Sequence, residues 1–188
     1  MGGSLKNLDW LKEIKSRFKT HREIQCFVET GTYYGGTTFM AASLFEEVHT
    51  VEISEKFYQN AIIESKKRKI DNIFFHHGDS GEIIYQLCQN IKQPSVFFLD
   101  GHYCGKGRDG EQSPNGNPLL KEVDAINKRG LSDIIIIDDT WLFGKKFPEK
   151  SLDWSNITES SILSKIDKHR ILSTQYTDDR FIVFLKGV

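Results

Sequence analysis

The stretch Phe27-Val28-Glu29-Thr30-Gly31-Thr32-Tyr33-Tyr34-Gly35-Gly36-Thr37-Thr38 runs through an apolar segment to Val48-His49-Thr50-Val51-Glu52-Ile53. It reads as a strand, a glycine-rich turn, a helix, and a second strand ending in an acid. Glycines in such a turn let backbone approach a ligand closely. A helix N-terminus presents N–H groups to an anion. An acid about 20 residues beyond the turn can accept two ribose hydroxyls. The layout is that of a nucleotide-type ligand site.

Working outward, the same alternation continues. Strands are expected at 26–29, 47–53, 72–77, 95–100 and 133–138. Helices are expected at 37–45, 54–70, 81–91, 119–128 and 156–168, and an amphipathic helix at 5–19 precedes them. Strands alternating with helices imply right-handed crossovers and a parallel sheet covered on both faces. The unbroken Ile134-Ile135-Ile136-Ile137 suits a strand buried on both sides. Segments 170–177 and 180–186 flank Asp178-Asp179 and read as a closing hairpin. The stretch 101–118 has no large apolar residue after Tyr103 and leaves the end of the fourth strand. It is expected to be a substrate lid.

With 188 residues, the chain is expected to form one domain over residues 1–188. Its 25 basic and 26 acidic residues give a net charge of −1, so no polyanion-binding signal is present and no nucleic-acid partner is expected. Three cysteines without a C-x-x-C pair support neither a zinc knuckle nor a disulfide framework. The sequence has no run of transmembrane length, and a cytoplasmic protein without a membrane partner is expected. The N-terminal helix is expected to cover its own core or a second copy, which leaves a homo-oligomer open.

The glycine spacing separates two ligand classes. A dinucleotide fingerprint is G-x-G-x-x-G, whereas this turn reads Glu29-x-Gly31-x-x-x-Gly35-Gly36-Thr37. It resembles motif I of the class I S-adenosylmethionine (SAM) methyltransferases. Five parallel strands and a closing hairpin resemble their seven-stranded, Rossmann-like sheet, mostly parallel with an antiparallel C-terminal hairpin. The resemblance covers roughly residues 23–187. It implies SAM as cofactor, bound by Glu29, Thr30, Gly31, Gly35, Gly36, Thr37, Thr38, Glu52, Ile53, Asp79, Ser80 and Asp100. Glu52 would take the ribose, Asp79 and Ser80 the adenine, and Asp100 would lie near the reactive end.

Two further motifs bear on chemistry: Phe98-Leu99-Asp100-Gly101-His102-Tyr103 and Ile137-Asp138-Asp139. Carboxylates gathered at strand ends are costly unless solvated, paired or bound to a cation. The pair of motifs is similar to the metal-dependent O-methyltransferases, especially the macrocin-type group that acts on sugars. That resemblance implies a divalent ion, Mg2+, on Asp100, Asp138 and Asp139. The group's second acid is replaced here by His102, which suits the role of base, so His102 and Asp100 are the expected catalytic residues. The expected reaction is methyl transfer to a hydroxyl of a small acceptor, a sugar or nucleotide sugar. A phenolic acceptor, with Trp141, Phe143, Phe147 and Trp154 lining its pocket, and a non-catalytic SAM-binding module are the alternatives.

Overall fold

The computed structural model describes residue 12, residues 24–102, residue 111, residues 113–147 and residues 153–188. Apart from Lys12, the expected helix at 5–19 lies outside the described residues. So does most of the expected lid, of which 101–102, 111 and 113–118 are described.

The elements are β1 (Cys26–Thr30), α1 (Gly36–Ala41), β2 (Glu47–Glu52), α2 (Glu55–Arg68), β3 (Ile73–His77), α3 (Ser80–Asn90), β4 (Ser95–Leu99), α4 (Leu119–Asn127), β5 (Ile134–Ile137), α5 (Glu159–Leu163), β6 (Ile171–Thr177) and β7 (Arg180–Leu185). They build a seven-stranded sheet in the order β3-β2-β1-β4-β5-β7-β6. Strands β1 to β5 pair in parallel, and β7 runs antiparallel to both β5 and β6. The expected mixed sheet with its reversed final strand is what forms.

Two apolar layers sandwich the sheet. On one face Val28, Phe97, Leu99, Ile135 and Ile137 meet Ile84 and Leu87 of α3, Val123 and Ile126 of α4 and Ile162 of α5. On the other, Phe27, Val48, Phe98, Ile134, Ile136 and Phe184 meet Ala41 of α1 and Phe45 beyond it. Because β5 lies between β4 and β7, all four of its isoleucines are fully buried. That is why it carries no alternation.

Two helices are shorter than their sequence pattern. The α1 helix ends at Ala41 rather than 45, because the Asn72 amide donates to the carbonyls of Ala42 and Phe45 at 2.9 and 2.8 Å. A distant side chain thus satisfies carbonyls that another helical turn would have used. The 156–168 pattern yields only α5, opened by a capping box between Thr158 and Ser161.

The order reverses between β1 and β4, each of which leads away to a different side. In open α/β sheets that crevice, at the carboxyl ends of the strands, is where ligands bind. The register sets Thr30 beside Leu99 and Leu99 beside Ile137. The residues that follow each strand, Gly31, Asp100 and Asp138, therefore emerge together.

Candidate active site

The β1 turn is fitted to the end of β4. Gly31 has φ +86°, and a Cβ there would lie 2.5 Å from the Asp100 carbonyl oxygen. Gly101 is also close, with a Cβ position 2.9 Å from the Thr30 side chain, and its amide donates to Thr30 Oγ1 at 3.1 Å. At Gly35, φ +77°, the missing Cβ makes room for the Phe39 ring. Sequence reading assigned Gly31 and Gly35 to close approach of a ligand; the structure shows that they first permit close approach of protein to protein. Gly36 opens α1, whose cap residue Gly35 offers no side chain to the first amides.

Glu29 lies beneath the turn rather than in it. It is buried, accepts from the Thr50 hydroxyl at 2.8 Å and from Thr38, and ties β1 to β2 and α1. Burial pushes its carboxyl up to about 7, against the pull of those two hydroxyls. Thr37 and Thr38 are buried within α1.

Glu52 stands at the rim, at the carboxyl end of β2. Its Oε2 accepts from the Tyr33 amide and its Oε1 from the Ser54 amide, both at 2.8 Å. The Ile53 amide also bonds to this carboxylate, which leaves it lone-pair capacity for a further donor. Ile53 follows, its carbonyl 3.1 Å from His77 Nε2. Asp79 caps α3 by accepting from Gly81 N at 2.9 Å, while its other oxygen accepts from Ser113 Oγ at 2.6 Å and Asn115 Nδ2 at 3.2 Å. The end of the 101–118 loop is therefore moored at the position expected to meet an adenine.

The candidate catalytic residues gather at the ends of β4 and β5. His102 Nε2 donates to Asp139 Oδ2 at 2.9 Å, and its Nδ1 lies 3.6 Å from Asp100 Oδ1. Ligand atoms of Asp100, His102 and Asp139 all lie within 4.8 Å of one another. Trp154 stands edge-on to the His102 ring at 4.9 Å, and Trp141 donates Nε1–H to Asp139 Oδ1 at 2.9 Å. Asp139 itself has φ +57°, a left-handed conformation that turns its side chain back to His102.

The electrostatics follow from crowding. Burial, then the neighbouring Asp138 and Asp139, push Asp100 well above the carboxylate range. Burial works in the same direction on Asp139, but the bonds from His102 and Trp141 outweigh it and hold the group low. Asp138, expected in the metal set, is not brought into this group. It is fully buried and ion-paired with Arg180, Nε to Oδ1 3.1 Å. Burial, only partly offset by Arg180, raises it to about 6. The donors that converge are Asp100, Asp139 and His102, a mixed carboxylate–imidazole set that fits a divalent ion.

Glu122 was not singled out from the sequence. It is 1% exposed, bonds to the Ser80 and Thr30 hydroxyls, and lines a small pocket with Gly101, His102, Asn117 and Trp154. The signal was present: Leu119, Val123 and Ile126 make the buried stripe of α4, and Glu122 lies on it. Burial raises its carboxyl from 4.5 to about 7. Between those values the folded chain holds a proton that the unfolded chain has released. The stabilisation is complete below pH 4.5, falls as pH rises and is gone above about 7. Glu122→Gln keeps an acceptor for both hydroxyls, so its urea-unfolding free energy should lose that pH-dependent part. Relative to the parent, the variant should gain about 3 kcal/mol between pH 4 and pH 8. Parallel pH profiles would show that Glu122 titrates normally.

No protein-family model matches the sequence, and no curated protein matches it. Solved structures do match in fold. The O-methyltransferase TomG from Streptomyces achromogenes, involved in tomaymycin synthesis and solved with SAM, aligns over 100% of this chain and 82% of its own at 15% identity, with a TM-score of 0.69. An O-methyltransferase from Bacillus cereus in complex with SAH aligns over 98% and 83% at 15% identity, TM-score 0.66. An rRNA methylase from Streptococcus thermophilus aligns over 88% of each chain at 15% identity, TM-score 0.51. At these identities the likeness is one of architecture: this chain has the seven-stranded, Rossmann-like methyltransferase fold.

Proposed function

We propose that the protein is a SAM-dependent O-methyltransferase acting on a hydroxyl of a small acceptor, a sugar or nucleotide sugar. The observation that carries this reading is the fusion of the Gly31 turn to Asp100-Gly101. It sets a cofactor-type turn directly against the His102–Asp139 pair. Fold alone would not establish activity, and the structural matches include methylases of unlike acceptors, so the sugar rests on the resemblance of the Asp100-Gly101-His102 and Asp138-Asp139 motifs to the macrocin-type group.

In this reading Glu52 accepts from the ribose hydroxyls, and Asp79 and Ser80 border the adenine. His102 removes the proton from the acceptor hydroxyl as its oxygen takes the methyl carbon, and the sulfonium leaves as a neutral thioether. Asp139 holds the imidazole in place and stabilises the imidazolium that results. A divalent ion held by Asp100 and Asp139 would orient the hydroxyl and lower its pKa. Because the methyl donor is already activated, most of the rate comes from alignment and exclusion of water. A phenolic acceptor is the second reading, carried by Trp141. That residue is 53% exposed and presents its indole beside Asp139. Phe143 and Trp154, stacked on each other with Trp154 buried, belong to the core instead.

The test is calorimetric titration with SAM, followed by transfer of labelled methyl to sugars, nucleotide sugars and catechols, each with and without Mg2+ or Mn2+. Failure of the folded protein to bind SAM overturns the proposal; transfer confined to catechols replaces the sugar by a phenol. Glu52→Ala should weaken SAM binding about 10- to 100-fold, the loss of hydrogen bonds to a charged group. An unchanged Kd would remove Glu52 from the ribose site.

A further inference from the structure

The opposite edge of the sheet, at the amino ends of β1 and β2, carries a second cluster of ligand-type side chains. Cys26 and Glu47 are register partners on β1 and β2, and His49 follows Glu47 on the same face. A sulfur, a carboxylate oxygen and an imidazole nitrogen from these three all lie within 4.8 Å of one another. Cys26 is fully buried and the His49 residue is 8% exposed, while the Glu47 side chain is 33% exposed and opens the cluster to solvent.

We infer that Cys26, Glu47 and His49 form a binding site for a divalent transition metal, with Zn2+ as the fitting ion. One thiolate, one imidazole and one carboxylate make a borderline donor set that suits zinc and excludes magnesium and calcium. The surroundings are those of a built site. His49 Nε2 faces Glu47 at 2.5 Å, while its Nδ1 is held 3.0 Å from His76 Nε2. The second oxygen of Glu47 accepts from Gln93 Nε2 at 2.9 Å. Ser95, the register partner of Cys26 on β4, lies beside the thiol and donates its own hydroxyl to the Gln93 carbonyl at 3.0 Å. His49 and Glu47 are thus each oriented by an outer partner, as metal ligands generally are.

The close His49–Glu47 contact explains what the metal would replace. Tetrahedral zinc with bonds of about 2.0–2.2 Å holds N and O donors about 3.4 Å apart, so these two need to open by roughly 1 Å. The ion would enter between the two side chains, and binding releases the thiol proton. With three protein ligands, the fourth position falls to water on the Glu47 side.

The site is independent of methyl transfer, and its test reads metal alone. Co2+ is titrated into chelator-treated protein while absorbance is followed. The expected result is about one equivalent bound with tetrahedral d–d bands and a thiolate-to-cobalt charge-transfer band, both reversed by Zn2+. Cys26→Ser abolishes the charge-transfer band, and His49→Gln and Glu47→Gln each weaken binding at least about 100-fold. Gln93→Ala weakens it about 10- to 100-fold. Asp139→Asn leaves the band intact, which separates this site from the one at β4 and β5. The variants at His49, Glu47 and Gln93 keep the test decisive if Cys26→Ser does not fold. A band absent from the parent, or retained in the folded His49→Gln variant, overturns the inference.

Discussion

Asp139→Asn is expected to lower methyl transfer by about 10²- to 10⁴-fold, the range that general-base catalysis contributes, while SAM binds within about twofold of the parent. The asparagine keeps an oxygen that can accept from His102, so the ring stays near its place. In the proposed reaction it removes the negative charge that would stabilise the imidazolium formed as the acceptor loses its proton. The backbone should tolerate the change: Asp139 has φ +57°, and asparagine is among the few residues that adopt this region readily. The fold and the proposed cofactor turn are left alone, so the loss reads the two roles proposed for Asp139 together, partner of His102 and ligand of the divalent ion. Single-turnover rates with labelled SAM measure the chemical step, and calorimetry measures the affinity. His102→Ala should cost about as much, and the double variant little more than either, since the two act as a unit. Loss of SAM binding together with turnover would assign Asp139 a structural role instead, and a rate like the parent's would remove it from the reaction.

The fold was legible because its signals are local. A strand that enters a glycine turn, an apolar run such as 134–137 and a turn at Asp178-Asp179 each declare themselves within a few residues. The parallel sheet then follows from alternation, and the reversed last strand from the hairpin. What the sequence did not disclose depends on partners far along the chain. Asn72 shortens α1 by bonding carbonyls that follow it. Asp138 and Asp139 are neighbours in sequence but not in role, because Arg180 neutralises the first and His102 engages the second. An alternating strand end sends adjacent side chains to opposite sides, and the left-handed backbone at Asp139 redirects that residue further. Glu122 shows a different kind of miss. A charged residue on a buried stripe reads as an interruption of the pattern until its acceptors' donors, Thr30 and Ser80, are seen to converge on it.

Gly31→Ala is expected to disable the cofactor turn and to cost about 2–5 kcal/mol of stability. Two separable terms add. The first is conformational: φ +86° lies in the region where a Cβ costs about 1–2 kcal/mol. The second is steric and larger in consequence. The new methyl would stand 2.5 Å from the Asp100 carbonyl oxygen and 3.2 Å from the Gly101 Cα, both backbone atoms that cannot swing aside. Either the turn or the end of β4 must move, at a further cost of about 1–3 kcal/mol. That movement separates the groups the site depends on, since the Thr30–Gly101 bond and the Asp100–His102–Asp139 cluster begin at the same strand end. SAM affinity should therefore fall at least about tenfold even in molecules that remain folded. Gly116→Ala isolates the first term, because Gly116 has φ +81° with nothing within 4 Å of its Cβ position. It should lose only about 1–2 kcal/mol and bind SAM like the parent. Equal destabilisation of the two variants in urea melts would show that β4 yields freely. The close fit of turn to strand would then have no part in holding the cofactor.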